Sequence, residues 1–126
     1  MFQAKLSRTN NYDFENWFCR RDEWSMATFG PSRGFEGALD HLKKEVTEIE
    51  KSPYDTEEWI DALFLVTDGL CRMLRAANPD LTGADAFEIM MEVANRKLDK
   101  NMRREWPSVS EQIRGKAVEH VRGKHD

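Results

Sequence analysis

The chain has 126 residues, of which 33% are charged and 40% hydrophobic, and its net charge is −4. This length fits one domain, and the negative charge argues against general nucleic-acid binding through the phosphate backbone. The longest apolar run, Ala62–Val66, is far too short to span a membrane. Because the N-terminus does not resemble a signal peptide, we expect a cytoplasmic protein.

Apolar residues recur at helical spacing through the first half of the chain. They predict a first helix over Asp13–Ala27, and two glycines and a proline within residues 28–34 then force a loop. A second helix is predicted over Glu36–Lys51. Its buried face is expected to be the apolar stripe at spacings of three and four, formed by Leu39, Leu42, Val46 and Ile49.

The second half of the chain predicts two more helices. After the turn at Ser52–Asp55, a third helix runs to about Ala76, and its centre is apolar nearly all round, as in the central helix of a bundle. Thr82, with Asp85 three residues later, predicts the start of a fourth helix that ends near Arg104. No strand-like alternation stands out, so the fold class is all-α, a bundle of four to five helices.

Four acidic residues form two pairs, Glu45-x-x-Glu48 and Glu58-x-x-Asp61, with nine residues between the pairs. On a helix, a spacing of three puts both carboxylates of a pair on one face. Two such helices in a hairpin would bring the four carboxylates into one patch, where they need a counter-charge. A hard divalent cation such as Mg²⁺ supplies it. The pattern therefore predicts a metal-dependent hydrolase acting on a phosphorylated small molecule.

The same acidic residues have simpler interpretations. Glutamates on helices usually form solvated faces. With Asp55 as N-cap, Glu58 fits the third position of a capping box. Lys44 and Lys51 are available as surface partners of the glutamates.

Three details favour the metal site. Asp61 lies in the most apolar stretch of the chain, where an unpaired carboxylate is costly, and Glu58 shares its face. Glu45 and Glu48 flank the apolar stripe of the second helix instead of lying opposite it. Asp68 follows two turns after Asp61, either as a substrate or outer contact or as a helix-interior aspartate bonded to a neighbour.

Other metal chemistries fit less well. The chain lacks the Glu-x-x-His pairs of di-iron bundles and the Cys/His clusters of zinc sites. All-oxygen ligation favours Mg²⁺ or Mn²⁺. His41, one turn before Glu45, is either a residue of the helix surface or a direct participant.

A basic segment ends the fourth helix. Lys97, Asn101 and Arg104 share one face, with Lys100 on a neighbouring stripe. Cations near a helix C-terminus are favourable with the helix dipole alone, but Lys, Asn and Arg are also the donors that grip a triphosphate.

The loop between the first two helices carries a second candidate. Trp24 precedes it and Phe29 and Arg33 lie within it. These residues suit a base pocket, with aromatic faces for stacking and a guanidinium for a phosphate or a base edge. Trp24 and Phe29 equally suit core packing.

These motifs resemble a known family. The run His41–Glu48, the run Glu57–Asp61 and the segment Lys97–Pro107 are similar to the MazG-like, all-α nucleoside triphosphate pyrophosphohydrolases. They look closest to the dATP/dGTP diphosphohydrolase branch, which includes the MazZ enzymes of phages. Residues 1–107 would form the MazG-like domain, and residues 108–126 a polar tail with at most a short helix.

The resemblance implies two or three Mg²⁺ or Mn²⁺ ions per site, held by Glu45, Glu48, Glu58 and Asp61, which would be the catalytic residues. It also implies cleavage of dGTP or dATP to the monophosphate and pyrophosphate in a homodimer or homotetramer, in the host cytoplasm if the chain is phage-encoded. Lys44 departs from the family's usual glutamate doublet. The alternatives are a dNTP phosphohydrolase that releases phosphate stepwise and a non-catalytic helical module that binds a protein partner.

Overall fold

A computed structural model describes residues 13–123 of the chain. Within that range every regular element is helical, which confirms the all-α class. The elements are α1 (Phe14–Phe29), α2 (Glu36–Lys51), α3 (Thr56–Ala77), α4 (Gly83–Arg103) and a short 3₁₀ helix (Val109–Glu111). No helix in these residues is long and apolar enough to cross a membrane.

The helix ends follow the capping signals in the sequence. Asp13 caps α1 by accepting a hydrogen bond from Asn16 N at 3.2 Å. The helix ends two residues later than predicted, at Phe29, because Gly30 adopts a positive φ of 88° that reverses the chain. Thr82 and Asp85 form reciprocal side-chain to main-chain bonds at 3.1 and 3.2 Å, which confirms the predicted start of α4.

The described chain forms two compact units, one ending at Glu88 and the other beginning at Ile89. In the first unit, α3 packs against both α1 and α2, as a central helix should. Phe18 and Cys71 are fully buried, and Phe18 makes an edge contact with Phe87 at 5.4 Å between ring centroids.

The prediction of a buried apolar stripe on α2 was wrong at Leu39 and Val46, whereas Leu42 and Ile49 are half-buried. Leu39 is 50% exposed and Val46 48% exposed, whereas Ala38 and Glu45 are buried on the neighbouring face. This neighbouring face lies against α3: a Cβ at Gly69 would stand 3.4 Å from the Ala38 Cβ, and Glu45 meets the carboxylates of Glu58 and Asp61. The apolar residues Ile60, Leu63 and Val66 of α3 are themselves about half exposed.

The second unit contains the rest of α4 and the C-terminal segment. The Trp106 indole donates a hydrogen bond to Asn101 O at 2.7 Å and lies edge-on to His120 at 5.8 Å. Val121 N donates to Glu105 O at 2.7 Å, so the segment folds back on itself. The predicted boundary at residue 107 stays a prediction, and residues 1–12 and 124–126 of the two predicted regions lie outside the described residues.

Candidate active site

Three of the four predicted carboxylates converge. One oxygen each from Glu45, Glu58 and Asp61 lies within 4.8 Å of the other two. Glu45 comes from α2 and the other two from the first turns of α3, so the predicted helix hairpin builds this group. Glu45 is 6% exposed, Glu58 is half-buried and Asp61 is exposed, although Asp61 lies in the most apolar stretch of the sequence.

The interpretation of Glu58 as a capping residue does not hold. Asp55 caps α3 by accepting from Glu57 N at 3.0 Å, but its own N–H donates to Ser52 O rather than to the Glu58 carboxylate. The Glu58 side chain turns toward Glu45 instead. Contact with Glu45, together with partial burial and the charges of Glu45, Asp55 and Asp61, raises the pKa of Glu58 to about 7.

Glu45 has the features of a metal ligand whose oxygen atom lacks a partner. Its Oε1 atom is buried and has no hydrogen-bond partner among the described residues. Lys44, a predicted surface partner of the glutamates, pairs with Asp40 at 3.6 Å, as an exposed pair one turn apart. A buried carboxylate oxygen without a donor is costly, and a cation in the carboxylate group would relieve that cost.

Glu48 lies outside the group in the described part of the chain. It is exposed, one turn after Glu45 on α2. Its assignment as a ligand stays a prediction.

A cavity of about 390 Å³ opens beside the carboxylates, within the first unit. Glu45 and Asp61 lie in its wall, and so do three residues predicted to bind substrate. The remaining lining comes from α2 and α3. The full lining is Trp24, Phe29, Arg33, Gly37, Ala38, His41, Glu45, Asp61, Phe64, Leu65 and Asp68.

The aromatic wall of the cavity is a small cluster. Trp24 makes edge contacts with Phe29 and with Phe64, each at 5.5 Å between centroids. Phe29 remains 48% exposed, so its ring is available to a ligand, and Trp24 is half-buried. The two interpretations of this loop, core packing and base pocket, therefore both apply to Trp24.

Arg33 is held over this wall. Its guanidinium lies 5.8 Å from the centre of the Phe29 ring and packs against the main chain at Gly37. A Cβ at Gly37 would meet the Arg33 guanidinium, with 2.8 Å to Nε and less to Nη2. Gly37 is the second residue of α2, and because it lacks a Cβ it leaves room for the arginine.

Behind the cavity lies a buried charge network that the sequence did not predict. Asp68 accepts hydrogen bonds from Ser25 Oγ at 2.6 Å, Arg21 Nη1 at 3.0 Å and Arg72 Nε at 3.1 Å. Burial alone would raise the pKa of Asp68, but the bonds from Ser25 and Arg72 and the two positive charges hold it below its ordinary value. Only one pair of this network has a signal in the sequence: Asp68 and Arg72 are four residues apart, a spacing that allows an ion pair on one face of a helix.

The basic segment belongs to the second unit, where Arg104 Nη1 donates to Asn101 Oδ1 at 2.9 Å. Lys97 is exposed, and Lys100, Asn101 and Arg104 are half-buried. Their roles toward substrate stay predictions.

The fold and the site define an all-α protein with a carboxylate group suited to divalent cations, beside a pocket with aromatic and cationic walls. The family model of dATP/dGTP pyrophosphohydrolase matches residues 17–125, and the chain belongs to that family. It is therefore an enzyme of the nucleoside triphosphate pyrophosphohydrolase class and not a non-catalytic module, as the motifs indicated. No curated protein and no solved structure matches the chain.

Proposed function

We propose that the chain hydrolyses a purine deoxynucleoside triphosphate, dGTP or dATP, to the monophosphate and pyrophosphate, with Mg²⁺ or Mn²⁺ bound by Glu45, Glu48, Glu58 and Asp61. One observation carries the proposal: carboxylate oxygens of three of these residues gather within 4.8 Å, and two of the three, Glu45 and Asp61, lie in the wall of a cavity of about 390 Å³. The carboxylate ligands and the cavity suit the two halves of a nucleotide, its phosphates and its base.

The donor set supports divalent cations. Carboxylate oxygens are the ligands that Mg²⁺ and Mn²⁺ prefer. The unpartnered Glu45 Oε1 and the raised pKa of Glu58 are both features that a bound cation would reverse. Such ions, two or three per site in this proposal, supply Lewis-acid activation of water and offset the charge of the triphosphate.

The protein's own residues have separate tasks in the proposal. Trp24 and Phe29 hold the base, because their rings line the cavity, and Arg33 contacts a phosphate or the base edge. Glu48, exposed one turn from Glu45, is the carboxylate that the metal does not saturate, and it accepts the proton of the attacking water. Cleavage then falls between the α- and β-phosphates.

The basic segment at the end of α4 is assigned to the phosphates in this proposal. Its members are Lys97, Lys100, Asn101 and Arg104, and the bond between Asn101 and Arg104 pre-orients the Arg104 guanidinium. A fixed guanidinium binds a phosphate with less loss of side-chain entropy than a free one. This assignment rests on the sequence resemblance and on the charge of the segment.

We also propose that the enzyme is a homodimer or homotetramer. The half-exposed apolar residues Leu39 and Val46 of α2 and Leu63 and Val66 of α3 support it, since a second copy of the chain would bury them. Sedimentation equilibrium tests this directly. A Val46→Lys variant should shift the mass toward the monomer.

The reaction itself is assigned to the cytoplasm, where deoxynucleotides are made and used.

Product analysis tests the activity. The protein is incubated with each canonical dNTP and NTP plus Mg²⁺, and the products are separated by anion-exchange chromatography. We expect dGTP or dATP to give the monophosphate and pyrophosphate in equal amounts, with no turnover in excess EDTA. Release of inorganic phosphate through a diphosphate intermediate would support the stepwise phosphohydrolase instead. Undiminished turnover in EDTA would remove the metal-dependent mechanism.

A further inference from the structure

The loop between α1 and α2 has little support of its own. Gly30 N donates to Met26 O at 3.1 Å, but among the described residues the main chain of residues 31–34 makes no hydrogen bond to other main-chain atoms. Yet this segment carries Arg33 and follows directly on Phe29, and both residues line the cavity. Something outside the loop must therefore fix its shape.

Arg72 of α3 supplies that support from behind the cavity. Its Nη1 atom donates to two loop carbonyls, Gly30 O at 3.0 Å and Arg33 O at 2.9 Å. Arg72 is 5% exposed and is not among the residues that line the cavity. It thus holds the loop without contacting a ligand in the pocket.

The remaining donors of Arg72 fix the guanidinium itself. Nε donates to Asp68 Oδ2 at 3.1 Å, and Nη2 donates to Ser25 Oγ at 3.0 Å and to Ser25 O at 3.4 Å. All three nitrogen atoms of the guanidinium are engaged. A guanidinium is planar and presents its donors in a rigid fork, whereas a lysine has three donors at a single point. Only arginine can therefore bind the carboxylate and the two carbonyls together.

We propose that Arg72 is a positioning residue for substrate: through the carbonyls of Gly30 and Arg33 it sets the loop so that Phe29 and the Arg33 side chain face the nucleotide. The inference rests on the proposed function, since it takes the cavity to be the nucleotide pocket. Arg72 acts on binding through the loop and does not touch the reacting atoms.

The test compares Arg72→Lys with Arg75→Lys. Arg75 is a matched control one turn along α3: it pairs with Asp22 through two bonds of 2.7 Å and donates to a main-chain carbonyl, Leu81 O, at 2.9 Å. None of these three residues lines the cavity with Glu45 and Asp61. Both substitutions keep the positive charge but remove a guanidinium with several buried or partly buried hydrogen bonds, so both should lower the melting temperature.

Only the first substitution should change substrate binding. For Arg72→Lys we expect KM for dGTP to rise about tenfold, equal to about 1.4 kcal/mol, with kcat within about twofold of wild type. Arg75→Lys should leave KM unchanged. In an Arg33→Ala background, Arg72→Lys should raise KM by a smaller factor, because part of its effect is exerted through the Arg33 side chain.

Limited trypsin digestion measures how accessible the loop is to cleavage in the absence of substrate. Trypsin cuts after Arg33, and fragment masses identify that cut. Arg72→Lys should be cut there faster than wild type, and Arg75→Lys should not. If Arg72→Lys does not fold, Ser25→Ala takes its place, since it removes one partner of Arg72; the same changes are expected in smaller degree.

The outcomes separate the two proposals. Wild-type turnover with equal KM in Arg72→Lys and Arg75→Lys overturns the role of Arg72 but leaves the proposed function intact. Equal cutting after Arg33 in both variants also overturns it. No turnover of any nucleotide by the wild type refutes the proposed function, and with it the substrate role of Arg72.

Discussion

Neutralising the buried member of the carboxylate group should stabilise the protein while it abolishes metal binding. The change is Glu45→Gln, which keeps the shape of the side chain. In the metal-free protein the Glu45 Oε1 atom is buried without a partner, next to the carboxylates of Glu58 and Asp61. The amide of glutamine would instead donate a hydrogen bond to one of those carboxylates.

The size of the effect follows from that environment. A buried acceptor without a partner costs about 1–3 kcal/mol, and the substitution removes most of that cost. For a chain of this size, 1 kcal/mol moves the melting temperature by roughly 3–6 °C. We therefore expect the melting temperature in EDTA to rise by at least about 3 °C. At a free Mn²⁺ concentration of about a hundred times its dissociation constant, Mn²⁺ should stabilise the wild type by about 2.7 kcal/mol. It should stabilise the variant by far less.

Thermal unfolding followed by circular dichroism, with EDTA and with Mn²⁺, measures both effects. Glu50→Gln is the matched control, because Glu50 is an exposed glutamate on the same helix; it should leave both the EDTA value and the Mn²⁺ response unchanged. A fall in the melting temperature of Glu45→Gln in EDTA, together with a normal Mn²⁺ response, would show that Glu45 is neither a costly unpaired acceptor nor a metal ligand.

Three further changes test the surroundings of the site. Asp68→Asn should lower the free energy of unfolding at pH 7. The pKa of Asp68 in the folded state lies below its ordinary value of 3.8. In urea titrations the wild type should therefore keep its full excess in free energy of unfolding over Asp68→Asn at pH values above 3.8. That excess should shrink as the pH falls through the lowered folded-state pKa. Phe29→Ala should raise KM about fivefold through lost stacking and leave the melting temperature nearly unchanged, because the ring is half exposed; an unchanged KM would remove Phe29 from the base site. Gly37→Ala should raise KM, because the new Cβ displaces the Arg33 guanidinium, and should change the free energy of unfolding in urea by less than the about 1 kcal/mol that separates glycine from alanine in a helix interior. A folded variant with normal KM would show that Arg33 has no role there.

The helices and their ends could be predicted because their signals are local. Thr82 and Asp85 form the capping bonds that their spacing predicts, and α2 has the predicted bounds. The pairing of Glu58 with Asp61 was equally local, because a spacing of three fixes a common face. Recognition of the family followed from the same short motifs.

Burial could not be predicted, because it depends on which face of a helix another helix covers. The apolar stretch around Asp61 suggested that this residue was the buried acid, yet α3 leaves it exposed, and α2 turns Glu45 inward instead. The link from Arg21 to the Asp68–Arg72 pair could not be predicted for the same reason. Arg21 and Asp68 are 47 positions apart in the sequence, and no local pattern indicates that they meet.

Glu45, Glu58 and Asp61 are proposed to bind the divalent cation required for hydrolysis. Anomalous diffraction at the manganese edge, from crystals grown with Mn²⁺ and a non-hydrolysable dGTP analogue, locates the ion. We expect a peak within ligand distance of all three carboxylates, with the analogue's phosphates beside it. A peak elsewhere, with these carboxylates free of metal while the analogue is bound, would contradict this assignment.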